Sequence, residues 1–105
     1  MELPKDKEQY CTLYLVRHGE TEMNVSNIFQ GHVDSPLTEN GMRQAEQLCE
    51  VLRPIHFDAL FSSDLTRTRL TAEILNVERK LAIKTSELLR ELYGGEYEGR
   101  DYNLY

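Results

Sequence analysis

The sequence predicts a single α/β domain in which helices flank a parallel sheet. Three short runs rich in β-forming residues, at residues 11–16, 59–62 and 81–83, alternate with longer helical patterns. Strands separated in this way join in parallel, because each crossover helix returns the chain to the end of the sheet at which the previous strand began. The chain of 105 residues suits one domain, which we expect to comprise a polar lead-in at residues 1–10 and a core at residues 11–99.

The first strand is predicted from an almost continuously apolar run. Residues 11–16 have the composition of a strand buried on both faces. The run ends at Arg17, His18 and Gly19, and open α/β sheets place their ligands at the carboxyl ends of such strands. A polar loop is predicted over residues 22–36, with a helical turn near residues 22–27.

Two helices are predicted from their capping residues and from apolar spacing. Thr38 is placed to cap the first helix, with Glu39 in its first turn, and Pro54 ends it. Apolar residues at spacings of three and four form one stripe along this helix: Met42, Ala45, Leu48, Cys49 and Leu52. We expect Asp64 to cap the second helix, over residues 65–75. Residues 81–83 are then predicted to form an edge strand, and the tail from Ser86 is predicted to be a loop.

Charge and cysteine content exclude several functional classes. Twelve Lys and Arg against eighteen Asp and Glu give a net charge of −6, which argues against nucleic-acid binding and against binding to anionic membranes. No apolar stretch is long enough to cross a bilayer, and the N-terminus lacks the pattern of a signal peptide. Cys11 and Cys49 lack metal-binding spacing and predict reduced thiols in a cytoplasmic protein.

The segment Arg17-His18-Gly19 places a nucleophile beside an anion-binding side chain. Histidine is nucleophilic near neutral pH when a neighbour fixes its tautomer, and the arginine guanidinium matches the oxygens of a phosphate. Gly19 permits the tight backbone path that lets His18 face outward. The combination favours attack on phosphorus, and the alternative is an Arg-His pair in a solvated loop.

A second candidate for binding phosphate follows the second strand. Arg67 falls in the first turn of the predicted helix, where free backbone N–H groups already favour an anion. Arg69 points to a different side of that helix, so we assign the site to Arg67. The alternative is a surface arginine that pairs with Asp64 or Glu73.

Three glutamates near the end of the sequence are candidate proton donors. Phosphoryl transfer needs a proton for the leaving alkoxide, and a carboxyl group is the usual donor. Glu91, Glu96 and Glu98 are available, and their spacing does not choose between them. An acidic run in a loop is also typical of a solvated surface.

Four ordered segments resemble the histidine phosphatase superfamily, which contains the cofactor-dependent phosphoglycerate mutases and many phosphatases. They lie at residues 15–24, 30–45, 61–68 and 89–99, and the first of them includes Arg17-His18-Gly19. The resemblance runs in the family's order along nearly the whole chain. It implies a phosphoglycerate mutase-like fold and an enzyme that transfers phosphoryl groups.

The resemblance also implies roles for five residues. By position, His18 is the phosphorylated nucleophile and Glu91 is the proton donor. Arg17 and Arg67 bind the transferring phosphoryl group, and Asn24 contacts the phosphate beside the pocket. The choice of Glu91 among the glutamates comes from the family alone. No cofactor is expected, and no metal, because the site lacks the carboxylate cluster that Mg²⁺ prefers.

The chain departs from the family at one position of the pocket. Members carry a second pocket histidine that a glycine usually follows, and neither His32 nor His56 fits that pattern. Members are also typically longer, so we expect this chain to be the N-terminal part of a larger domain. The exposed sheet edge would then be covered by the missing C-terminal half or by a second copy of the chain.

Three functions remain open from the sequence. The Gly-Glu-Tyr-Glu-Gly pattern at residues 95–99 is similar to the phosphatase branch and favours hydrolysis of a phosphate monoester. Mutase-type transfer to a second hydroxyl is the alternative within the family. A phosphate-binding relic without turnover is the alternative from another class, because the second pocket histidine is missing. In each case the expected partner is a small phosphorylated metabolite.

Overall fold

The computed structural model describes residues 11–91, 95 and 98–100 of the chain. Its elements are helix α1 (Glu22–Val25), helix α2 (Glu39–Leu52), strand β1 (Leu60–Ser62), helix α3 (Thr66–Leu75), strand β2 (Ile83–Thr85) and a 3₁₀ helix at Glu87–Leu89. The two strands pair in parallel, with Leu60 opposite Ile83 and Ser62 opposite Thr85. The predicted α/β class with a parallel sheet is therefore confirmed.

Helix α2 begins and ends where its sequence predicts. The Thr38 side chain accepts a hydrogen bond from the Gly41 N–H at 3.0 Å, which satisfies one of the free donors of the first turn. The helix packs against α3 and buries Ala45 of its apolar stripe. The buried apolar residues of the described chain are Ala45 of α2, Ala72 of α3, and Leu37 and Leu65, which lie just before these helices.

Helix α3 is capped by a residue other than the predicted one. Leu65 stands at the N-cap without a side-chain hydrogen bond, so the prediction of Asp64 as the cap is wrong. Asp34 supplies the cap from the preceding loop, accepting from the Thr66 backbone N–H at 3.0 Å and from its hydroxyl at 2.6 Å. The Asp64 carboxylate instead accepts hydrogen bonds from Nε and Nη2 of Arg90, each at 2.6 Å.

Residues 11–16 do not form the predicted buried strand. No strand pairing is assigned to them, and Leu13 and Leu15 are 79% and 94% exposed. A strand needs a neighbour for its backbone hydrogen bonds, and within the described residues β1 and β2 pair only with each other. The side-chain pattern alone predicted burial, but the covering partner is not among these residues.

The last strand begins two residues later than predicted, at Ile83 instead of residue 81. The Asn76 side chain accepts from the Leu81 N–H at 2.9 Å and donates to the Leu81 carbonyl at 2.7 Å. Because both backbone groups of Leu81 close the turn after α3, the ladder starts beyond it. The loop predicted from Ser86 contains the 3₁₀ helix, which the Ser86 hydroxyl caps.

Some predictions concern thiols, termini and membranes. Cys11 and Cys49 are free cysteines, as predicted. The predicted lead-in at residues 1–10 and the candidate Glu96 lie outside the described residues. Among the helices that the structure describes, none combines the length and the apolar character needed to cross a membrane.

Candidate active site

All five residues singled out from the sequence line one cavity. Its volume is about 460 Å³, and the five are Arg17, His18, Asn24, Arg67 and Glu91. The cavity lies where the stretch at residues 16–31, which includes α1 and the loop after it, meets the start of α3 and the end of the 3₁₀ helix. The remaining wall comes from residues that the sequence did not single out: Val16, Phe29, Gln30, Gly31, Ser63, Thr68 and Leu89.

His18 is half-buried and has a defined tautomer. Its Nδ1–H donates to the Gly19 carbonyl at 2.6 Å, which leaves the lone pair on Nε2. Burial lowers the pKa of His18 below its ordinary value of 6.5, and the positive charges of Arg67 and Arg17 lower it further. The Gly19 carbonyl and the charge of Glu91 oppose this shift. The imidazole is therefore neutral, and its Nε2 nucleophilic, near neutral pH.

The backbone around His18 is tied directly to α3. The Gly19 N–H donates to the Thr71 hydroxyl at 3.1 Å, and that hydroxyl donates to the Arg67 carbonyl at 2.7 Å. Gly19 also lies so close to the Gly41 backbone of α2 that a Cβ atom would collide with it. These contacts fix the position of His18 relative to Arg67.

Arg67 is buried, with 2% of its surface exposed. Its Nη1 donates to the Val33 carbonyl at 2.7 Å and its Nη2 to the Gly31 carbonyl at 2.5 Å. The alternative of a surface arginine paired with Asp64 or Glu73 is therefore wrong. Arg69, which points elsewhere, is the residue that pairs with Glu73, at 3.7 Å. Burial keeps the guanidinium charge effective, because little water screens it.

Arg17 and Asn24 line the cavity in different settings. Arg17 is exposed, whereas Asn24 belongs to a capping box at the start of α1. The Asn24 Oδ1 accepts from the Thr21 N–H at 3.0 Å, and the Thr21 hydroxyl accepts from the Asn24 N–H at 3.1 Å. Because the amide oxygen is used in this box, the NH₂ end of Asn24 is the one that can donate to an anion.

Two of the three candidate glutamates differ clearly in their surroundings. Glu91 is exposed and lines the cavity, and its charge acts on His18. The Glu98 carboxylate instead accepts a hydrogen bond from the His32 backbone N–H at 3.0 Å. The geometry thus favours Glu91 over Glu98 as the carboxyl group beside the nucleophile.

Three residues that the sequence did not single out hold the side chains and backbone of the site in place. Gly31 and Val33 contribute carbonyl groups, which no side-chain pattern reveals. Thr71 lies four residues after Arg67 and so shares its helix face, a spacing that could have singled it out. In the ranges 11–91 and 98–100 and at residue 95, no three His, Cys, Asp or Glu side chains are grouped to hold a metal ion.

Comparisons with known proteins extend these observations. Residues 13–104 match the histidine phosphatase superfamily (branch 1). The chain is 47% identical over 89 residues to the probable phosphoglycerate mutase GpmB of Proteus mirabilis (strain HI4320), covering 85% of this chain and 41% of the relative. It is 36% identical over 90 residues to the adenosylcobalamin/alpha-ribazole phosphatase of Escherichia coli (strain K12), covering 86% and 44%.

Solved structures agree with the sequence relatives. A putative alpha-ribazole-5'-P phosphatase from Escherichia coli superposes with a TM-score of 0.80 at 34% identity, over 84% of this chain and 44% of that one. Bacillus stearothermophilus YhfR gives a TM-score of 0.80 at 40% identity, over 83% and 43%. The chain thus spans less than half the length of these proteins. By the extent of the sequence match and the shared fold, it belongs to the histidine phosphatase superfamily.

Proposed function

We propose that the chain carries the phosphoryl-transfer site of a phosphomonoesterase that works through a phosphohistidine on His18. One observation carries this proposal: a neutral, half-buried imidazole shares a cavity with two guanidinium groups and a carboxyl group. A nucleophile, anion-binding donors and a proton donor are the three parts that phosphoryl transfer needs.

The first half-reaction forms the covalent intermediate. The Nε2 lone pair of His18 attacks the phosphorus of the monoester, and the bond from phosphorus to the ester oxygen breaks with its electron pair on that oxygen. Glu91 in its acid form gives its proton to this oxygen, so the product leaves as an alcohol. The phosphorylated imidazole keeps its Nδ1–H on the Gly19 carbonyl.

The second half-reaction restores the enzyme. Water attacks phosphorus on the side opposite Nε2, and the Glu91 carboxylate accepts the proton that the water loses. The bond from phosphorus to nitrogen breaks with its electrons returning to Nε2, which regenerates neutral His18 and releases inorganic phosphate. Arg17, Arg67 and the NH₂ group of Asn24 neutralise the phosphoryl oxygens throughout, so the reaction needs no metal or cofactor.

The wall of the cavity supports a monoester with an uncharged, apolar alcohol portion as the substrate class. Val16, Phe29 and Leu89 line the cavity together with the phosphate-binding side chains, and apolar side chains favour an apolar group over a charged one. The Gly-Glu-Tyr-Glu-Gly pattern at residues 95–99 favours hydrolysis over mutase-type transfer. We also propose that the enzyme is cytoplasmic.

Mutase-type transfer remains the second candidate because of one observation, the 47% identity to a probable phosphoglycerate mutase. The two reactions share the phosphohistidine and differ in the acceptor. A native polypeptide that converts one phosphoglycerate isomer into another faster than it releases phosphate is a mutase. One that releases phosphate faster is a hydrolase.

Hydrolysis of nitrophenyl phosphate by the native polypeptide tests the proposal. We expect turnover that the His18→Ala variant lowers by roughly 10⁴-fold or more, because the nucleophile is lost. His56→Ala is the matched control, since His56 is exposed and pairs only with Asp58 among the contacts described. Saturable phosphate binding without turnover would instead identify a non-catalytic phosphate-binding module, the third function left open by the sequence.

A further inference from the structure

The backbone that carries Glu91 is held at two neighbouring points. The His32 Nε2–H donates to the Glu91 carbonyl at 2.8 Å, across 59 residues of sequence. One residue earlier, the Arg90 guanidinium donates hydrogen bonds to both carboxylate oxygens of Asp64. Glu91 itself is exposed, so these anchors, and not burial, hold the backbone from which its side chain extends.

His32 belongs to the same loop that holds Arg67. The carbonyls on either side of it, at Gly31 and Val33, are the acceptors for the two Nη groups of Arg67. Residues 31–33 therefore contact two parts of the site. Their backbone carbonyls bind Arg67, and the His32 side chain binds the Glu91 carbonyl. A displacement of this loop moves both groups together.

The conformation of residues 31–33 is closely constrained. Gly31 has a φ of +54°, and a Cβ at this residue would collide with the Glu98 side chain. The Glu98 carboxylate also accepts a hydrogen bond from the His32 N–H at 3.0 Å. Because the backbone of His32 is fixed in this way, its ring presents Nε2 to Glu91 from a defined position.

We propose that His32 is a positioning residue for the proton donor: its Nε2–H holds the Glu91 carbonyl so that the Glu91 carboxyl faces the ester oxygen of a phosphate bound by Arg67. This inference rests on the proposed role of Glu91. It assigns His32 no contact with the substrate. It predicts a selective defect, because only the protonation of the leaving group depends on where Glu91 lies.

The leaving group provides a readout that a merely structural role would not give. An alkoxide is a poor leaving group and needs the proton, whereas nitrophenolate leaves readily without it. The quantity to measure is kcat/KM, which reports the transfer of the phosphoryl group to His18. The probes are nitrophenyl phosphate and a primary alkyl phosphate of similar size.

His32→Asn and His32→Gln form a matched pair of variants. Gln places an N–H donor near the former Nε2 position, whereas the shorter Asn places one near Nδ1 and cannot reach the Glu91 carbonyl. We expect His32→Asn to lower kcat/KM for the alkyl phosphate about 10–100-fold, as for a misplaced catalytic group. We expect a change below about 3-fold for nitrophenyl phosphate, and recovery of most of the alkyl rate in His32→Gln.

Glu91→Gln separates a failure of this inference from a failure of the proposed function. If Glu91→Gln is selective for the alkyl phosphate but His32→Asn is not, the positioning role of His32 is overturned. A loss that His32→Asn shows equally with both substrates overturns it as well. If Glu91→Gln shows no selectivity, Glu91 is not the proton donor, and both its role and that of His32 are wrong while His18 is unaffected.

Discussion

The loop at residues 31–33 and the segment at residues 11–16 differ in a way that reverses the usual distribution of polar and apolar groups. Arg67, which the loop holds, is 2% exposed, whereas Leu15 in the segment is 94% exposed. The loop satisfies a buried charge with the chain's own carbonyls. The segment has no described neighbour for its backbone. One side of the site is thus organised by hydrogen bonds among the described residues, and the other, which leads into Arg17, is not.

This difference matters for how the two arginines act. A guanidinium fixed by buried hydrogen bonds is already in place when the anion arrives, so binding costs little side-chain entropy. An exposed arginine must lose rotamer freedom on binding, which offsets part of its attraction for phosphate. We therefore expect Arg67 to contribute both to stability and to phosphate affinity, and Arg17 to affinity alone.

Replacing the two arginines by methionine produces the largest expected contrast. Arg67→Met leaves the Gly31 and Val33 carbonyls without their donors, and each such loss costs about 1–3 kcal/mol of unfolding free energy. Both Arg67→Met and Arg17→Met weaken competitive inhibition by inorganic phosphate, each by about 10–100-fold, because a charge-assisted hydrogen bond is lost. Urea titration and inhibition kinetics measure the two effects.

Arg69→Met is the matched control for that contrast. Arg69 lies on the same helix and pairs with Glu73 at 3.7 Å with both side chains about half exposed, so its loss costs less than about 1 kcal/mol. Destabilisation by Arg17→Met as large as that by Arg67→Met would contradict the difference drawn between the two regions.

Two leucines test the same comparison through packing. Leu37 is 5% exposed, so Leu37→Ala is expected to lower the unfolding free energy by about 2–4 kcal/mol through lost transfer energy and a cavity. Leu15 is 94% exposed, and Leu15→Ala is expected to change it by less than about 0.5 kcal/mol. Chemical denaturation of the two variants gives both values. Equal losses would mean that residues 11–16 are covered in solution.

The smallest expected effect is the pH dependence of the unfolding free energy that His18 contributes. Burial, then Arg67 and Arg17, lower the pKa of His18 below 6.5, so the unfolded chain binds this proton more readily than the folded one. Stability contributed by His18 is therefore lost as pH falls from above 6.5 through the lower folded pKa. An NMR titration of the His18 ring in the folded chain and in urea measures the difference. A folded pKa above the urea value would contradict it.

Much of the site was predictable because its residues follow from local patterns. His18, Arg17 and Arg67 each stand where an apolar run ends or a helix begins, and those positions converge in α/β folds. The Thr38 cap and the helix that it starts depend on residues three or four apart. Such short-range relations can be read directly from the sequence.

The rest depended on contacts between distant residues. The carbonyls that hold Arg67, and the Asp34 cap of α3, join residues more than thirty positions apart and leave no local pattern. Asp is a residue type that often caps helices, but the Asp64 carboxylate forms a bidentate hydrogen bond with Arg90. This charge-assisted pair is stronger than a cap to a backbone N–H. The prediction of a strand at residues 11–16 was wrong because burial depends on a neighbouring strand or helix, which the apolar pattern of that segment does not specify.

Detection of phosphate on His18 tests the central claim most directly. The native polypeptide is mixed briefly with a phosphate monoester, quenched without acid, and digested for mass spectrometry of the peptide that contains residue 18. We predict a phosphoryl group on His18 that is lost on exposure to acid, and its absence in His18→Ala. A polypeptide that hydrolyses the ester while carrying its phosphoryl group on another residue, or none, would contradict the phosphohistidine mechanism.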